Sequence, residues 1–487
     1  MRSSAFAVLV LALAASAGLA ADKPLAKRLQ DSDPDVRSAA VKEVRGDPSL
    51  KGIRLILPLL ADKDAYVRDY TWNTLCGVKN EEWILWMAGA IRTDRRPQVR
   101  ISGAEVLGRR GKAAALPALE ALLGDRELRV RVAAAASLRN FKGSEQAKAI
   151  LVKGLADPRP EVRAAALESW SRIDAKGAVP KLMAALKDED EGVRCAALRS
   201  LRYGSKDLAV DAGTYAMLEG GWRMRAQAIE NSRWLRDRRV MEGLIQGLRK
   251  ATRARIREDL FQALRDLTGL EIPATVGDWE AWWKQNGDGW REEGRIPRPS
   301  EDEHASGVSR YYGIPIRSDR VVFLLDGSGS MRGKMAYNDD RTKMDVARKE
   351  LLRVLDELGE SIRFNVIVFH TKPDAFRPSL VAADSRTRKK VETFVRKKTG
   401  RGRTNLYDAI ELALADDDAD TIFVLSDGAP SEGRYQFRSR IRHHVRLINR
   451  RRKIVVHTIA FGGKDVNREF LEKLARENGG VHVVHRK

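Results

Sequence analysis

A two-residue motif, Val-Arg or a close variant, recurs through the first half of the chain and constrains its fold more than any other feature. In most units a polar turn with Asp or Pro starts a helix, and a second apolar helix precedes that turn. One such helix pair cannot bury its own apolar face, so neighbouring pairs must stack. The pattern predicts an α solenoid of helix pairs. The arginines of the motif are spaced by 31 or 32 residues: Arg37, Arg68, Arg100, Arg131, Arg163, Arg194, Arg225 and Arg257.

The repeated unit resembles the HEAT-like repeat family, at the short end of its length range, and we expect the solenoid to cover residues 25–270. The arginine at a fixed place in each unit has two interpretations. It forms a basic binding ladder, or it is structural and bonds the adjacent turn or an Asp of a neighbouring unit. The structural interpretation is favoured.

The first 20 residues have the composition of a secretory signal peptide. A single arginine, Arg2, precedes the apolar run from Ala5 to Ala15, and small residues follow that run. The run is shorter than the roughly 20 residues that a membrane span needs, and no later segment reaches that length. We therefore expect a secreted or periplasmic protein with no transmembrane segment.

Residues 271–319 depart from the repeat pattern and are predicted to form a Trp-rich cap followed by a linker. Three tryptophans, Trp279, Trp282 and Trp283, share one face of a predicted helix, and Trp290 follows. The favoured interpretation is a helix that covers the exposed apolar end of the solenoid. An aromatic ligand-binding platform is the alternative.

Residues 320–487 are predicted to form an α/β domain with a mainly parallel sheet. Wholly apolar runs, typical of strands buried on both faces, alternate with amphipathic helices. The runs are Val321–Leu325, Phe364–Phe369, Thr421–Leu425, Ile454–Phe461 and Val481–Val484.

Polar side chains follow two of these runs and precede one helix. Asp326, Ser328 and Ser330 come directly after the first run, Asp427 follows the third, and Thr404 stands just before a helix. In open α/β sheets the functional crevice lies beyond the carboxyl ends of the strands, so these side chains should converge. Carboxylate and hydroxyl oxygens suit Mg²⁺, Mn²⁺ or Ca²⁺.

This arrangement resembles the metal-ion-dependent adhesion site of the von Willebrand factor A family. All five positions of that site, Asp-x-Ser-x-Ser with a distant Thr and a distant Asp, have counterparts here. The resemblance implies a doubly wound, Rossmann-like domain that holds Mg²⁺ (or Mn²⁺ or Ca²⁺). It also implies that the hydroxyls touch the metal and that the two Asp act directly or through water. Asp408 is either a support for this site or a charge at a helix start.

The chain has a formal net charge of +22, and two of its basic segments lie near the predicted site. Such a surplus favours anionic partners. Arginines at a spacing of four on one helix repel each other unless they have a partner. One interpretation is therefore an anion-binding rim, and the alternative is a solvated surface. The predicted rim consists of Arg403, Arg434, Arg438, Arg442, Arg446 and Arg450.

Together these features predict a secreted, non-enzymatic scaffold. Its domain at residues 320–487 captures an acidic protein or polyanionic ligand in a metal-dependent manner. Exported bacterial proteins with HEAT-like repeats and a von Willebrand factor A domain resemble it in domain order. The alternative is a nucleic-acid-binding protein, because the Ro ribonucleoprotein family has a similar architecture. The signal peptide and the absence of an RNA-stacking motif argue against nucleic acid. A third interpretation is a hydrolase or a metal-loading chaperone subunit, and no second catalytic motif in the sequence supports it.

Overall fold

Residues 24–78, 81–290, 308–335, 340–461 and 465–485 are described by the computed structural model. They fall into two units, and the boundary lies between Ile173 and Asp174. The predicted signal peptide, residues 1–20, lies outside the described residues. Within those residues, we find no helix that is long and apolar enough to cross a membrane.

The first unit consists of helices, and several of them begin at a side chain that caps the first turn. Asp33, Asp64 and Ser144 each accept a main-chain N–H from the first turn of the helix that follows. Short 3-10 turns at Leu57–Ala61, Ala113–Ala115 and Leu138–Asn140 join some of the helices. The helices are α1 (Leu25–Arg28), α2 (Pro34–Gly46), α3 (Leu50–Ile56), α4 (Ala65–Gly77), α5 (Glu82–Thr93), α6 (Pro97–Arg110), α7 (Leu116–Leu123), α8 (Leu128–Ser137), α9 (Glu145–Leu155) and α10 (Pro160–Ile173).

The second unit continues with helices of the same kind before its sheet begins. Small residues such as Ala196 and Ala197 are fully buried where these helices pack, which lets their axes approach closely. The helices are α11 (Val179–Ala185), α12 (Glu191–Gly204), α13 (Lys206–Glu219), α14 (Trp222–Ser232), α15 (Arg238–Lys250), α16 (Ala254–Thr268) and α17 (Val276–Asn286).

The repeated arginines stabilise the turns between helices, as the structural interpretation predicts. Seven of the eight donate to the main-chain oxygen six residues earlier, for example Arg100 to Asp94 at 2.7 Å. Arg225 instead donates to main-chain oxygens of Met217, Leu218 and Lys250. Two-point ion pairs with an Asp of the next repeat add to these bonds, for example Arg37 with Asp62, Arg100 with Asp125, and Arg131 with Asp157.

Replacing Arg100 by Met should lower the free energy of unfolding by about 3–5 kcal/mol, because Asp125 would be left as a nearly buried, unpaired charge. The Arg100 and Asp125 side chains are only 6% and 10% exposed. Arg194→Met is the matched control, since the bonds of Arg194 are to main-chain oxygens of Asp188 and Glu189. Its cost should be about 1–2 kcal/mol. Equal losses for both variants in urea denaturation would show that the ion pair adds nothing.

Helix α17 packs on α15 and carries the tryptophan cluster. Trp279 is fully buried, and its ring meets that of Trp282 edge-on at 5.8 Å. Arg249 of α15 pairs with Glu280 of α17, and the Arg238 guanidinium lies 5.7 Å from the centre of the Trp283 ring. Side chains of α15 thus contact α17 and its tryptophan cluster, while the role of this helix as a cap stays a prediction.

The α/β part of the second unit is a seven-stranded sheet with helices on both faces. Strands β3 (Arg320–Asp326), β4 (Arg363–Phe369), β7 (Thr421–Ser426), β8 (Val455–Phe461) and β9 (His482–His485) pair in parallel in the order β4-β3-β7-β8-β9. Short strands β5 (Pro373–Ala375) and β6 (Val381–Ala382) pair antiparallel with β4. A separate hairpin joins β1 (Arg310–Tyr311) and β2 (Ile314–Pro315).

Alternate residues of β3 point into two different cores, as expected of a strand buried on both faces. Val321 and Phe323 pack with α18 (Lys343–Glu357) and α19 (Ser385–Arg396). Val322 and Leu324 pack with α20 (Leu406–Leu414), α21 (Arg438–Arg452) and α22 (Asp465–Glu477). The predicted fold class is therefore confirmed: helix pairs followed by a mainly parallel, doubly wound α/β domain.

The sequence predicts that the α/β domain begins at residue 320, but its apolar core includes residues that precede this position. Tyr311, Ile314 and Ile316 are all buried and belong to the same apolar cluster as Phe323. The Tyr311 ring lies edge-on to Phe323 at 5.3 Å. The short β1–β2 hairpin thus packs on the domain, although its sequence resembles a linker.

The end of the sheet where β7 and β8 begin is bonded to the last repeat helices. Arg255 of α16 donates to the main-chain oxygens of Asp420 (3.0 Å) and Lys453. Arg253 donates to the Asp418 carboxylate at 2.9 Å, and its guanidinium lies 4.4 Å from the centre of the Trp222 ring. The carboxyl ends of the parallel strands therefore face away from these helices.

Candidate metal centre

The residues predicted to bind metal lie at the carboxyl end of the sheet, at the ends of two neighbouring strands. Asp326 ends β3, and Ser328 and Ser330 follow in the loop and the short 3-10 helix Gly329–Arg332. Asp427 directly follows β7, which pairs in parallel with β3. Because adjacent parallel strands end at the same edge, the two carboxylates are brought together.

A chain of hydrogen bonds connects these side chains. The Ser330 hydroxyl donates to Asp427 Oδ1 at 2.7 Å, and the Ser328 and Ser330 hydroxyl oxygens are 3.0 Å apart. Asp326 Oδ1 accepts the Ser328 main-chain N–H at 2.9 Å. Its Oδ2 accepts the Ser426 hydroxyl at 2.6 Å. These hydrogen bonds hold the two serine hydroxyls beside the carboxylates.

Thr404 reaches the same place from a third loop. A Cβ added to Gly428 would lie 3.4 Å from Thr404 Oγ1 and 3.6 Å from Ser330 Oγ, so both hydroxyls border one small space. The main-chain N–H of Gly329 donates to the oxygen of Gly402 at 3.0 Å, which ties the two loops together. Gly402 has a φ of +71°, a backbone conformation that favours glycine.

The carboxylates are buried while the site remains open at one hydroxyl. Asp326 is fully buried and Asp427 is 9% exposed, whereas Ser330 is exposed. Burial, and then the negative charge of Asp427, raise the pKa of Asp326 to about 6. Two buried carboxylates with one exposed hydroxyl form a pocket of negative charge that a cation can reach from solvent.

The donor set fits a hard divalent cation. Asp326, Ser328, Ser330, Thr404 and Asp427 offer only carboxylate and hydroxyl oxygens, the ligand type of Mg²⁺, Mn²⁺ and Ca²⁺. Within the described residues, no group of three or more His, Cys, Asp or Glu is placed to hold a metal. A site with two carboxylates and three hydroxyls does not need such a group, and a bound ion would supply charge that offsets both carboxylates.

Lys343, which sequence reasoning missed, contacts the site. Its ammonium lies 2.7 Å from Asp427 Oδ2. It is the first residue of α18, directly after the capping Thr342. A lysine at a helix N-terminus faces the positive end of the helix dipole, so its presence there signals an anion nearby.

Asp408 supports the Thr404 loop and lies in the first turn of α20. Its Oδ2 accepts from the Asn405 side chain at 2.9 Å, and its Oδ1 accepts the Arg434 main-chain N–H at 3.3 Å. Asn405 also donates to the Thr371 main-chain oxygen at 3.1 Å. Asp408 therefore holds the neighbour of Thr404 and is also a charge at a helix start, while its support of a metal site stays a prediction.

Two arginines of the predicted basic rim have acidic partners within the domain. Arg434 forms a two-point ion pair with Glu411, at 2.7 and 2.8 Å, and Arg442 pairs with Glu477 of α22. The repulsion expected between arginines four residues apart is thus offset by glutamates on the neighbouring helices.

The other arginines of the predicted rim differ in their distance from the candidate site. Arg403 adjoins Thr404, its side chain is 59% exposed, and its Nη1 is 3.9 Å from a Glu432 carboxylate oxygen. Arg438 and Arg446 are half-buried on α21. Arg450 lies in the last turn of that helix, where its main-chain oxygen accepts from Arg199 of α12. Because α21 leads from the end of β7 back to the start of β8, Arg450 lies at the end of the sheet opposite the candidate site.

Comparison with known families separates the helix pairs from the α/β domain. Residues 319–484 match the model of the von Willebrand factor type A domain. Residues 53–139, 84–170 and 149–212 match the model of HEAT repeats. Residues 24–44 match the HEAT repeat associated with sister chromatid cohesion.

Similar proteins match only a part of the chain. Inter-alpha-trypsin inhibitor heavy chain H4 of Homo sapiens is 34% identical over 182 residues, 35% of this chain and 18% of that protein. Inter alpha-trypsin inhibitor, heavy chain 4 of Mus musculus is 30% identical over 181 residues, 34% of this chain and 18% of that protein. The chain thus spans less than a fifth of the length of these relatives.

Solved structures also resemble part of the chain. The von Willebrand factor type A structure from Catenulispora acidiphila has 20% identity and a TM-score of 0.28, and covers 34% of this chain and 38% of that one.

Proposed function

We propose that this chain, in which HEAT repeats precede a von Willebrand factor type A domain, is an exported, non-enzymatic interaction scaffold. Its A domain binds a divalent cation, Mg²⁺ or Mn²⁺ or Ca²⁺, and through it an acidic protein or another polyanion. The observation that carries the proposal is the convergence of Asp326, Ser328, Ser330, Thr404 and Asp427 at the carboxyl end of the sheet.

The composition of this site favours binding over reaction. Three of its five side chains are neutral hydroxyls, so only two carboxylates offset the charge of a divalent ion. An ion held in this way keeps its attraction for a further oxygen anion, and the exposed Ser330 marks the side from which that anion arrives. General acid–base catalysis needs a positioned proton acceptor beside the reacting group, and the proposed ligand set supplies none beyond the carboxylates that hold the ion.

The charge of the chain supports an anionic partner, and the first 20 residues support export. The net charge of +22 attracts anions over a range limited by salt. The exposed Arg403 beside Thr404 is the member of the predicted rim best placed to meet a ligand at the ion. A nucleic acid remains the alternative partner, and its binding should respond differently to a chelator.

Binding of the full chain to immobilised poly-L-glutamate should require a divalent cation. We expect capture in Mn²⁺ to weaken at least about ten-fold in EDTA, since a glutamate carboxylate completes the coordination of the ion. Ser330→Ala should weaken capture in Mn²⁺ to a similar extent. The exposed Ser361 lies outside the site, so Ser361→Ala is the matched control and should bind as the wild type does.

The same assay with duplex RNA distinguishes the alternative. Phosphate contacts through arginine need no metal. On B-form DNA the logarithm of the binding constant falls by about 0.9 per phosphate neutralised for each ten-fold rise in salt, and duplex RNA should respond in the same direction. Two results together would overturn the proposed function. They are RNA binding that is unchanged by EDTA and falls steeply with salt, and poly-L-glutamate binding that is unchanged by EDTA.

A further inference from the structure

Lys343 occupies a position that is costly unless an anion accompanies it. It is the first residue of α18, where main-chain N–H groups and the helix dipole disfavour a positive charge. Its side chain is 20% exposed, and its ammonium pairs with the fully buried Asp427 side chain at 2.7 Å. Both oxygens of Asp427 therefore have a partner, because Ser330 donates to the other oxygen.

The chain holds Lys343 in this place through its backbone. Its main-chain N–H donates to the oxygen of Gly333 at 2.9 Å. Thr342 and Asp345 cap α18 reciprocally, each side chain bonding the main chain of the other. Lys334 and Thr342 form a β-bridge across the loop that precedes the helix. The ammonium is thus directed at Asp427 by a fixed helix start.

Formal charges show what Lys343 does to the site. Asp326 and Asp427 contribute −2 and Lys343 contributes +1, a sum of −1 when both carboxylates are ionised. A divalent cation changes that sum to +1. Because charges interact strongly where water is largely excluded, the ammonium opposes the ion, and the excess positive charge of the loaded site attracts an anion.

We infer that Lys343 is a specificity-determining residue of the metal centre. It weakens binding of the ion alone and strengthens binding of a carboxylate to the ion-loaded site. Ion and acidic ligand then bind with positive coupling, since each supplies the charge that the other needs. This inference rests on the proposed function and adds a residue outside the five predicted ligands.

The test is a calorimetric titration of the full chain carrying Lys343→Met. The Kd for Mn²⁺ alone should fall about ten-fold, because the competing ammonium is gone. The Kd of Mn²⁺-saturated chain for poly-L-glutamate should rise by about the same factor. Lys334→Met is the control, since Lys334 lies on the same loop, is 56% exposed and pairs with Asp340 instead. It should leave both constants unchanged.

The possible outcomes separate the inference from the function on which it rests. If the wild type and Lys343→Met bind Mn²⁺ with the same Kd, the inference is wrong and the metal centre stands. If neither chain binds Mn²⁺, both are wrong. Lys343→Gln removes the charge while keeping a polar side chain of similar length. Lys343→Gln should change both Kd values in the same way, and it replaces Lys343→Met in the test if that variant melts far below the wild type.

Discussion

In the Asp326→Ala chain we expect Mn²⁺ to have no effect on the melting temperature, whereas it should raise that of the wild-type chain. A ligand that binds only the folded state stabilises it, by about 2.7 kcal/mol when present at 100 times its Kd. Asp326 is fully buried and is bonded to both Ser328 and Ser426. Its loss removes half of the negative charge that the site offers a cation.

The measurement is thermal unfolding of the full chain with Mn²⁺ or with EDTA. The full chain is needed because the base of the sheet bonds to the repeat helices. Asp356→Ala is the matched control, since Asp356 is an exposed carboxylate of α18. It should keep the whole shift. An undiminished shift in the Asp326→Ala chain would remove Asp326 from the site.

Without metal, Asp326 should destabilise the folded chain at neutral pH. Its pKa is raised to about 6 by burial and by Asp427, while in the unfolded chain it lies near 3.9. The folded state therefore holds the proton more tightly, and the free energy of unfolding decreases as pH rises from about 4 to 6. In EDTA, the Asp326→Asn chain should lack this decrease.

Replacing Arg255 by Met should be among the most destabilising single changes outside the apolar cores. Arg255 is 9% exposed and bonds two main-chain oxygens at the base of the sheet and the Asp259 carboxylate. Its removal deprives the main-chain oxygens of Asp420 and Lys453 of this donor, at about 1–3 kcal/mol for each buried acceptor left unsatisfied. The repeat helix α16 and strands β7 and β8 would lose their shared donor.

Arg257→Met, on the same helix, provides the control for this prediction. Arg257 is exposed and donates to the Ala251 main-chain oxygen within its own turn. Its loss should cost about 1 kcal/mol. The measurement is urea denaturation of both variants as full chains. Equal midpoints for the two variants would contradict a role for Arg255 in joining the repeat helices to the sheet.

Sequence reasoning predicted those parts of the molecule that depend on local patterns. The constant spacing of the arginines predicted the helix pairs, since every unit must repeat the same local contacts. The apolar runs predicted β3, β4, β7, β8 and β9, because strands buried on both faces lack a polar side. The motif that begins at Asp326 could be placed at a strand end for the same reason.

Contacts between elements distant in sequence could not be predicted. Glu411 and Glu477 neutralise Arg434 and Arg442 across gaps of 23 and 35 residues, and no periodic pattern joins these positions. Lys343 lies 84 residues from Asp427, and only the fold brings its ammonium to that carboxylate. Such pairs depend on how helices pack on the sheet, which residue types alone do not determine.

The metal centre is tested most directly by counting the divalent ions that the full chain binds in a calorimetric titration with Mn²⁺. We expect a single ion per wild-type chain, competition from Mg²⁺ for the same place, and a severe loss of affinity in Thr404→Val, which removes the hydroxyl of the third loop. An absence of binding, or an unchanged affinity in Thr404→Val, would contradict a site built from these three loops.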